Sequence, residues 1–223
     1  MKSKIKAIIY DLDNTIYPAK TYCKPIFDRI IHTILSHPDN RYSQLKLEKI
    51  KSDLFQTAFV DVAKRYSFPS NLILSGKQIL ESAEFEEDLI PYEDCHVIKK
   101  LPIKSFLVTS GNIVFQEKKI KSLNITHLFD EIYIDDENAK PRIGKENIFK
   151  TILKNIECNA EQVVVVGDNI SSEILAGNSL GMYTIQILRE GIQKGIEARA
   201  YIHSFTELPA IIMGIRLLSP IMG

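Results

Sequence analysis

The chain has 223 residues, 45% of them hydrophobic, and its 28 Lys and Arg balance its 28 Asp and Glu. That length holds one domain, or a core domain plus a small insert, and can bury a large core. A formal charge of zero gives no electrostatic drive toward nucleic acid or an anionic membrane, and no apolar run reaches the roughly 18 residues of a spanning helix.

Met1-Lys2-Ser3-Lys4 leads into a short apolar run, residues 5–10, which is too brief for a signal peptide and reads as a buried strand. It ends in Asp11-Leu12-Asp13-Asn14-Thr15. Extended alternation points Asp11 and Asp13 the same way. Carboxylates this close raise each other's pKa, and a divalent cation beside them relieves the repulsion. A carboxylate can also act as a nucleophile toward phosphorus. Taken alone, Asp-x-Asp is more often an acidic turn after an edge strand.

From residue 17 to 88 the strand signal disappears. Ile26, Phe27, Ile30, Ile31, Ile34 and Leu35 recur at helical spacing, and His37-Pro38-Asp39-Asn40 reads as the following turn. A second helix from Ser43 carries Leu47, Ile50, Leu54, Ala58 and Val62 on one stripe until residues 67–70 break it. A third runs from Asn71 through Leu80. Ile90-Pro91-Tyr92 marks a return to the core. The pattern then predicts a short helix over 93–101, a strand over 105–109, a polar helix from Asn112 to Ser122 and a strand over 131–134. A loop over 135–144 precedes a helix over 145–155. The four valines 163–166 read as a central buried strand. A helix over 171–180 ends at Gly181, and strands over 183–188 and 201–205 complete the set. The apolar tail, residues 210–223, is expected to dock on the core as a helix or to form a dimer contact.

Strands alternating with helices imply right-handed crossovers and an α/β fold: a Rossmann-like, mostly parallel sheet flanked by helices, with an inserted α-helical block. The expected division is 1–16 plus 89–223 as core and 17–88 as insert. Cys23, Cys95 and Cys158 lack metal-ligand spacing and read as reduced thiols of a cytoplasmic protein. The five histidines are dispersed and form no ligand pattern.

Four separated pieces, in order, resemble the motifs of the haloacid dehalogenase-like hydrolases. They are Asp11-Leu12-Asp13-Asn14-Thr15, then Phe106-Leu107-Val108-Thr109-Ser110-Gly111, then a lysine at Lys140 or Lys145, then Val163 through Asp168-Asn169 with Glu173. The resemblance implies a phosphatase of the helical-cap branch, in which residues 17–88 would close over the site and choose the substrate. It implies Asp11 as the nucleophile that forms an aspartyl-phosphate, and Asp13 as general acid and then base. An acid at position 13 argues for phosphate esters and against halide displacement. Mg²⁺ is expected on Asp11, the backbone carbonyl of Asp13 and Asp168, with Asn169 and Glu173 just outside that ligand set. Thr109 Oγ and the N–H groups of Ser110 and Gly111 would cradle the phosphate.

A lysine is needed to balance the charge on nucleophile and phosphate. Lys140 stands in a Lys-Pro pair, a frequent form of this motif, 28 residues before Asp168; Lys145 opens a helix 23 residues before it. The helix-start position favours Lys145, with Lys140 as the alternative. The expected partner is a small phosphorylated metabolite, with no nucleic acid and no membrane. Asp13-Asn14-Thr15-Ile16-Tyr17 resembles the opening of pyrimidine 5′-nucleotidase-like members, so a nucleoside monophosphate or a sugar phosphate is expected. Phosphomutase or phosphotransferase chemistry on the same fold is the alternative. A non-catalytic binding module is a further one, which the intact acidic pairs oppose.

Overall fold

The computed structural model describes residues 5–38 and 42–217. β1 (Ala7–Tyr10) is followed by α1 (Ala19–Tyr22), α2 (Lys24–Leu35), α3 (Gln44–Leu54), α4 (Phe59–Arg65), α5 (Ser70–Glu81) and α6 (His96–Lys100). Strands and helices then alternate: β2 (Lys104–Gly111), α7 (Ile113–Leu123), β3 (Glu131–Asp136), α8 (Lys145–Asn155), β4 (Val163–Gly167), α9 (Leu175–Ser179), β5 (Tyr183–Ile187), β6 (Ala200–Ile202) and α10 (Leu208–Leu217). The strands form one parallel sheet in the order β3-β2-β1-β4-β5-β6, so the α/β expectation holds.

This order decides where a ligand can sit. From β1 the chain builds outward through β2 and β3, then returns to lay β4 on the other flank of β1. Strand order reverses there, and such a reversal opens a crevice at the carboxyl ends of the strands. Tyr10 aligns with Leu107 on one side and Val166 on the other, so Asp11 and Asp168 both emerge at that crevice.

Alternation along the strands divides the core in two. Ala7, Ile9, Phe106, Val108, Val163 and Val165 share one face, covered by Phe149 and Ile152 of α8. Ile8, Tyr10, Leu107, Val164 and Val166 share the other. All four valines of β4 are fully buried, which is why that run shows no polar alternation. In the helical block between β1 and β2, α2 packs Ile26, Ile30 and Ile34 inward near Leu72 and Leu80 of α5. Gly76 on α5 is required by close approach: a Cβ there would lie 2.1 Å from Cζ of Phe59.

Three expectations need correction. The second helix is two helices, because residues 55–58 interrupt it and Ala58 is extended (φ −53°, ψ 139°). The stripe Leu47, Ile50, Leu54, Ala58, Val62 keeps helical spacing across the break, so periodicity could not reveal it. Contacts from distant residues hold it open: Asn169 Nδ2 donates to Gln56 O (2.7 Å), and Val60 N donates to Glu137 Oε2 (3.0 Å). The helix expected over 171–180 begins as a π-helical turn, Ile170–Ile174, before α9. The last strand is shorter and earlier than expected, because Ser204 and Glu207 form a capping box that starts a 3₁₀ turn at Phe205. Asp39 and Asn40 of the expected turn, and residues 218–223 of the tail, lie outside the described residues. No described helix is long and apolar enough to cross a membrane.

One buried ion pair joins the return from the helical block to the far end of the sheet. Arg189 Nη1 and Nη2 each donate to Asp94 at 2.8 Å, and Asp94 also accepts from Ser204 Oγ and Phe205 N. The guanidinium stacks 4.0 Å from the centroid of the Tyr92 ring. Removing one partner strands the other in a largely buried setting. Asp94→Ala is therefore expected to lower stability by about 3 kcal/mol and the Tm by roughly 6–12 °C. Thermal unfolding followed by circular dichroism tests this, and an unchanged Tm would refute it.

Candidate active site

The end of β1 is pinned before its acids begin, since Asp11 N donates to Val166 O (3.0 Å) of β4. Beyond it the backbone turns: Ile16 N returns to Leu12 O and Asn14 adopts a left-handed φ of 55°. Asp11 points into the crevice and is buried, with Lys145 Nζ donating to its Oδ1 at 2.6 Å. The same ammonium reaches Glu173 Oε2 at 2.8 Å, and Glu173 Oε1 accepts from Asn169 N at 2.7 Å. Gly167 makes this possible, because a Cβ there would lie 2.2 Å from Glu173 Oε1. Asp168 is buried beside them. Asp11, Asp168 and Glu173 each offer a carboxylate oxygen, and these oxygens lie within 4.8 Å of one another.

Lys145 reaches this point because α8 starts there. The loop before it is fixed by Asp135, whose Oδ1 accepts from Gly144 N (2.8 Å) and whose Oδ2 accepts from Arg142 Nε (2.8 Å). Gly144 takes a φ of 78° at the helix entry. Lys140 is exposed and does not line the cavity. Of the two candidate lysines, only Lys145 touches Asp11.

Thr109, Ser110 and Gly111 line the same cavity from the end of β2, and Gln116 Nε2 donates to Thr109 Oγ1 at 2.5 Å. The cavity is about 310 Å³. Phe27, Phe55 and Phe115 form an apolar part of its wall, and Gln56, Thr57 and Arg65 approach from the interrupted helix.

Asp13 behaves differently from Asp11. Its carboxylate lies outside the group of three acids and accepts instead from Tyr17 OH (2.6 Å), Lys119 Nζ (2.8 and 3.1 Å) and Gln116 Nε2 (3.2 Å). Burial favours its neutral form, but the Lys119 charge and the three donors outweigh this and hold it below the usual carboxylate range. Asp11 is pushed up to about 7 by burial first and by Glu173 next, with Lys145 pulling the other way. Asp168 is raised well above its ordinary value by burial, then by Glu173 and Asp11. Burial disfavours the charged form of Lys145, yet Asp11 and Glu173 hold it as an ammonium above its usual range.

Gln116, Lys119 and Tyr17 escaped the sequence reading. The α7 segment looks merely polar, yet Asn112, Gln116, Lys119 and Leu123 follow helical spacing and are all buried. That stripe was the available signal.

The family model described as haloacid dehalogenase-like hydrolase matches residues 8–187. A glyceraldehyde 3-phosphate phosphatase of Methanocaldococcus jannaschii is 28% identical to this chain, covering 95% of it and 99% of that protein. One of Methanopyrus kandleri is 26% identical over 87% of this chain and 88% of that protein. Among solved structures, a haloacid dehalogenase-like family hydrolase of Streptococcus pneumoniae superposes with a TM-score of 0.70 at 18% identity, over 95% of this chain and 99% of that one. A putative hydrolase of Bacillus subtilis, solved bound to magnesium, gives a TM-score of 0.65 at 15% identity, over 94% and 99%.

Proposed function

Because the chain belongs to the haloacid dehalogenase-like hydrolases and is a phosphoric monoester hydrolase, we propose that it cleaves a small sugar phosphate of the triose class with Mg²⁺ as cofactor. The observation that carries this reading is the group of three buried carboxylates beside a single ammonium, at the reversal point of the sheet. Three acids against one lysine leave excess negative charge with burial already raising Asp11 and Asp168, an arrangement that fits a hard divalent cation. Asp11, Asp168 and the backbone carbonyl of Asp13 would hold the ion, with Glu173 beside them. When bound, it supplies charge neutralisation, so that an anionic nucleophile can approach an anionic phosphate.

The chain's own residues do the rest. Asp11 Oδ attacks phosphorus and forms the aspartyl-phosphate. Lys145 stays on Asp11 and offsets charge there. Thr109, Ser110 and Gly111 hold the phosphate oxygens. Asp13, which the free site holds as a carboxylate, takes up a proton as the anionic substrate enters, passes it to the leaving oxygen, then takes one back from the water that hydrolyses the intermediate. We assign residues 17–88 as the cap, with the wall formed by Gln56 and Thr57 as the part that meets the organic portion of the substrate. The free thiols Cys23, Cys95 and Cys158 support a cytoplasmic setting.

Phosphate release from a panel of monoesters at fixed Mg²⁺, including glyceraldehyde 3-phosphate, larger sugar phosphates and nucleoside monophosphates, tests the reading. Preference for the triose ester is expected; preference for a nucleotide would overturn the substrate class. Lys145→Ala is expected to lower kcat by about 10²-fold or more, while Lys140→Ala stays near wild type. Full turnover by Lys145→Ala would remove that lysine from the mechanism.

A further inference from the structure

We infer that Gln116 is a positioning residue for Thr109: its side-chain amide takes the acceptor side of the Thr109 hydroxyl and so turns the hydroxyl hydrogen toward the phosphate. The inference rests on the phosphatase reading above, in which Thr109 Oγ binds a phosphate oxygen. A fully ionised phosphate only accepts hydrogen bonds, whereas a hydroxyl can donate or accept. Thr109 therefore serves the cradle only when its hydrogen faces the ligand. A hydroxyl rotates to suit its surroundings, so a neighbour must decide which way it points.

Gln116 is that neighbour. Its Nε2 donates to Asp13 Oδ2 at 3.2 Å and to Thr109 Oγ1 at 2.5 Å. The direction of the amide is forced. Asp13 pairs with the Lys119 ammonium at 2.8 and 3.1 Å, so it presents acceptor oxygens, and the amide atom facing it is the nitrogen. That nitrogen carries two hydrogens, one for Asp13 and one for Thr109. An oxygen that accepts on one side directs its own hydrogen away from that side, and Thr109 lines the cavity. Both side chains are 1% exposed, so bulk water does not compete for the contact. The backbone fixes the amide as well. Asn112 Oδ1 caps α7 by accepting from Phe115 N at 3.2 Å, and Gln116 N donates to Asn112 O at 2.9 Å. Gln116 also lies against Gly111, where a Cβ would meet its Cδ at 3.4 Å. One side chain in the first turn of α7 thus reaches the cradle at its first and its last residue.

A structural contact and a positioning contact differ in whether they act through the Thr109 hydroxyl. The test is titration calorimetry of inorganic phosphate into the Mg²⁺-loaded protein. It compares wild type, Gln116→Met, Thr109→Val, the two combined, and Gln116→Met combined with Thr109→Ser. Binding of free phosphate breaks no ester bond, so proton delivery to a leaving group does not enter. Methionine keeps the stem length without the donor, and Asp13 retains Lys119 and Tyr17. Gln116→Met is expected to weaken phosphate binding about tenfold, the low end of a hydrogen bond to a charged group. With valine at position 109 the same change should cost about twofold or less, because there is no hydroxyl left to orient. With serine there, the tenfold loss should return. No loss in Gln116→Met, or a loss undiminished by valine, which would mean an effect routed through Asp13, would overturn the proposal. If Gln116→Met does not fold, Gln116→Leu runs the same cycle under the same criterion. Wild type that neither binds phosphate nor releases it from any ester would refute the phosphatase reading. Wild type that releases phosphate, with the Gln116 loss equal in every background, would refute the positioning role alone.

Discussion

Asp11→Asn yields a folded protein whose kcat on phosphate esters is lower by at least about 10⁴-fold. The amide matches the carboxylate in size but is no nucleophile, so the aspartyl-phosphate cannot form. The fold should tolerate the change for a specific reason. Lys145 loses one partner but keeps Glu173 at 2.8 Å, so no buried ammonium is left alone. The substitution also relieves crowding, because burial and Glu173 already disfavour the charge on Asp11. Phosphate release measures the loss, and circular dichroism checks the fold. A variant that is folded and retains turnover within tenfold of wild type would remove Asp11 from the nucleophile's role.

Withdrawal of the divalent cation is expected to abolish turnover and to lower the Tm, with a characteristic pH dependence. An ion that binds only the folded state contributes about 2.7 kcal/mol at a hundred times its Kd, or roughly 5–10 °C for a chain of this size. The sign follows from the carboxylates. Asp11 is raised to about 7 and Asp168 is raised well above its ordinary value, so both folded-state values exceed the unfolded ones. Groups shifted this way stabilise the fold when protonated, below about pH 4, and lose that contribution as pH rises. Without cation, stability should fall between about pH 4 and 7. Mg²⁺ takes the same oxygens only once they are deprotonated, so its stabilising effect should grow across that window. Melting curves with Mg²⁺ and with chelator at pH 5 and pH 8 provide the check, with Asp168→Asn as control. An equal Mg²⁺ effect at both pH values, or one that survives Asp168→Asn, would contradict the three-acid site.

What was legible in the sequence was local. β1, β4 and the entry to α8 announce themselves through apolar runs and turn residues, and they deliver Asp11, Asp168 and Lys145 to one crevice. The reversal of strand order that brings Asp11 and Asp168 together is a property of the sheet, and the alternation of strands and helices was enough to anticipate a sheet of that kind. What stayed hidden depends on partners distant along the chain. Lys119 reads as a solvated lysine until Asp13, 106 residues away, faces it. The break between α3 and α4 has no local breaker; Asn169 and Glu137, from other parts of the fold, hold it. Glu173 was expected just outside the ligand set, but its contact with Lys145 and the room Gly167 leaves for it are set by the fold.

The same interruption has a bearing on how such an enzyme diversifies. Asn169 and Glu137 fasten the stretch through its backbone, at Gln56 O and Val60 N, while Arg142 adds a side-chain tie to Asp61. Main-chain handholds are indifferent to residue type. Gln56 and Thr57 can therefore be exchanged over generations while the helical block still seats in the same place beside the cavity.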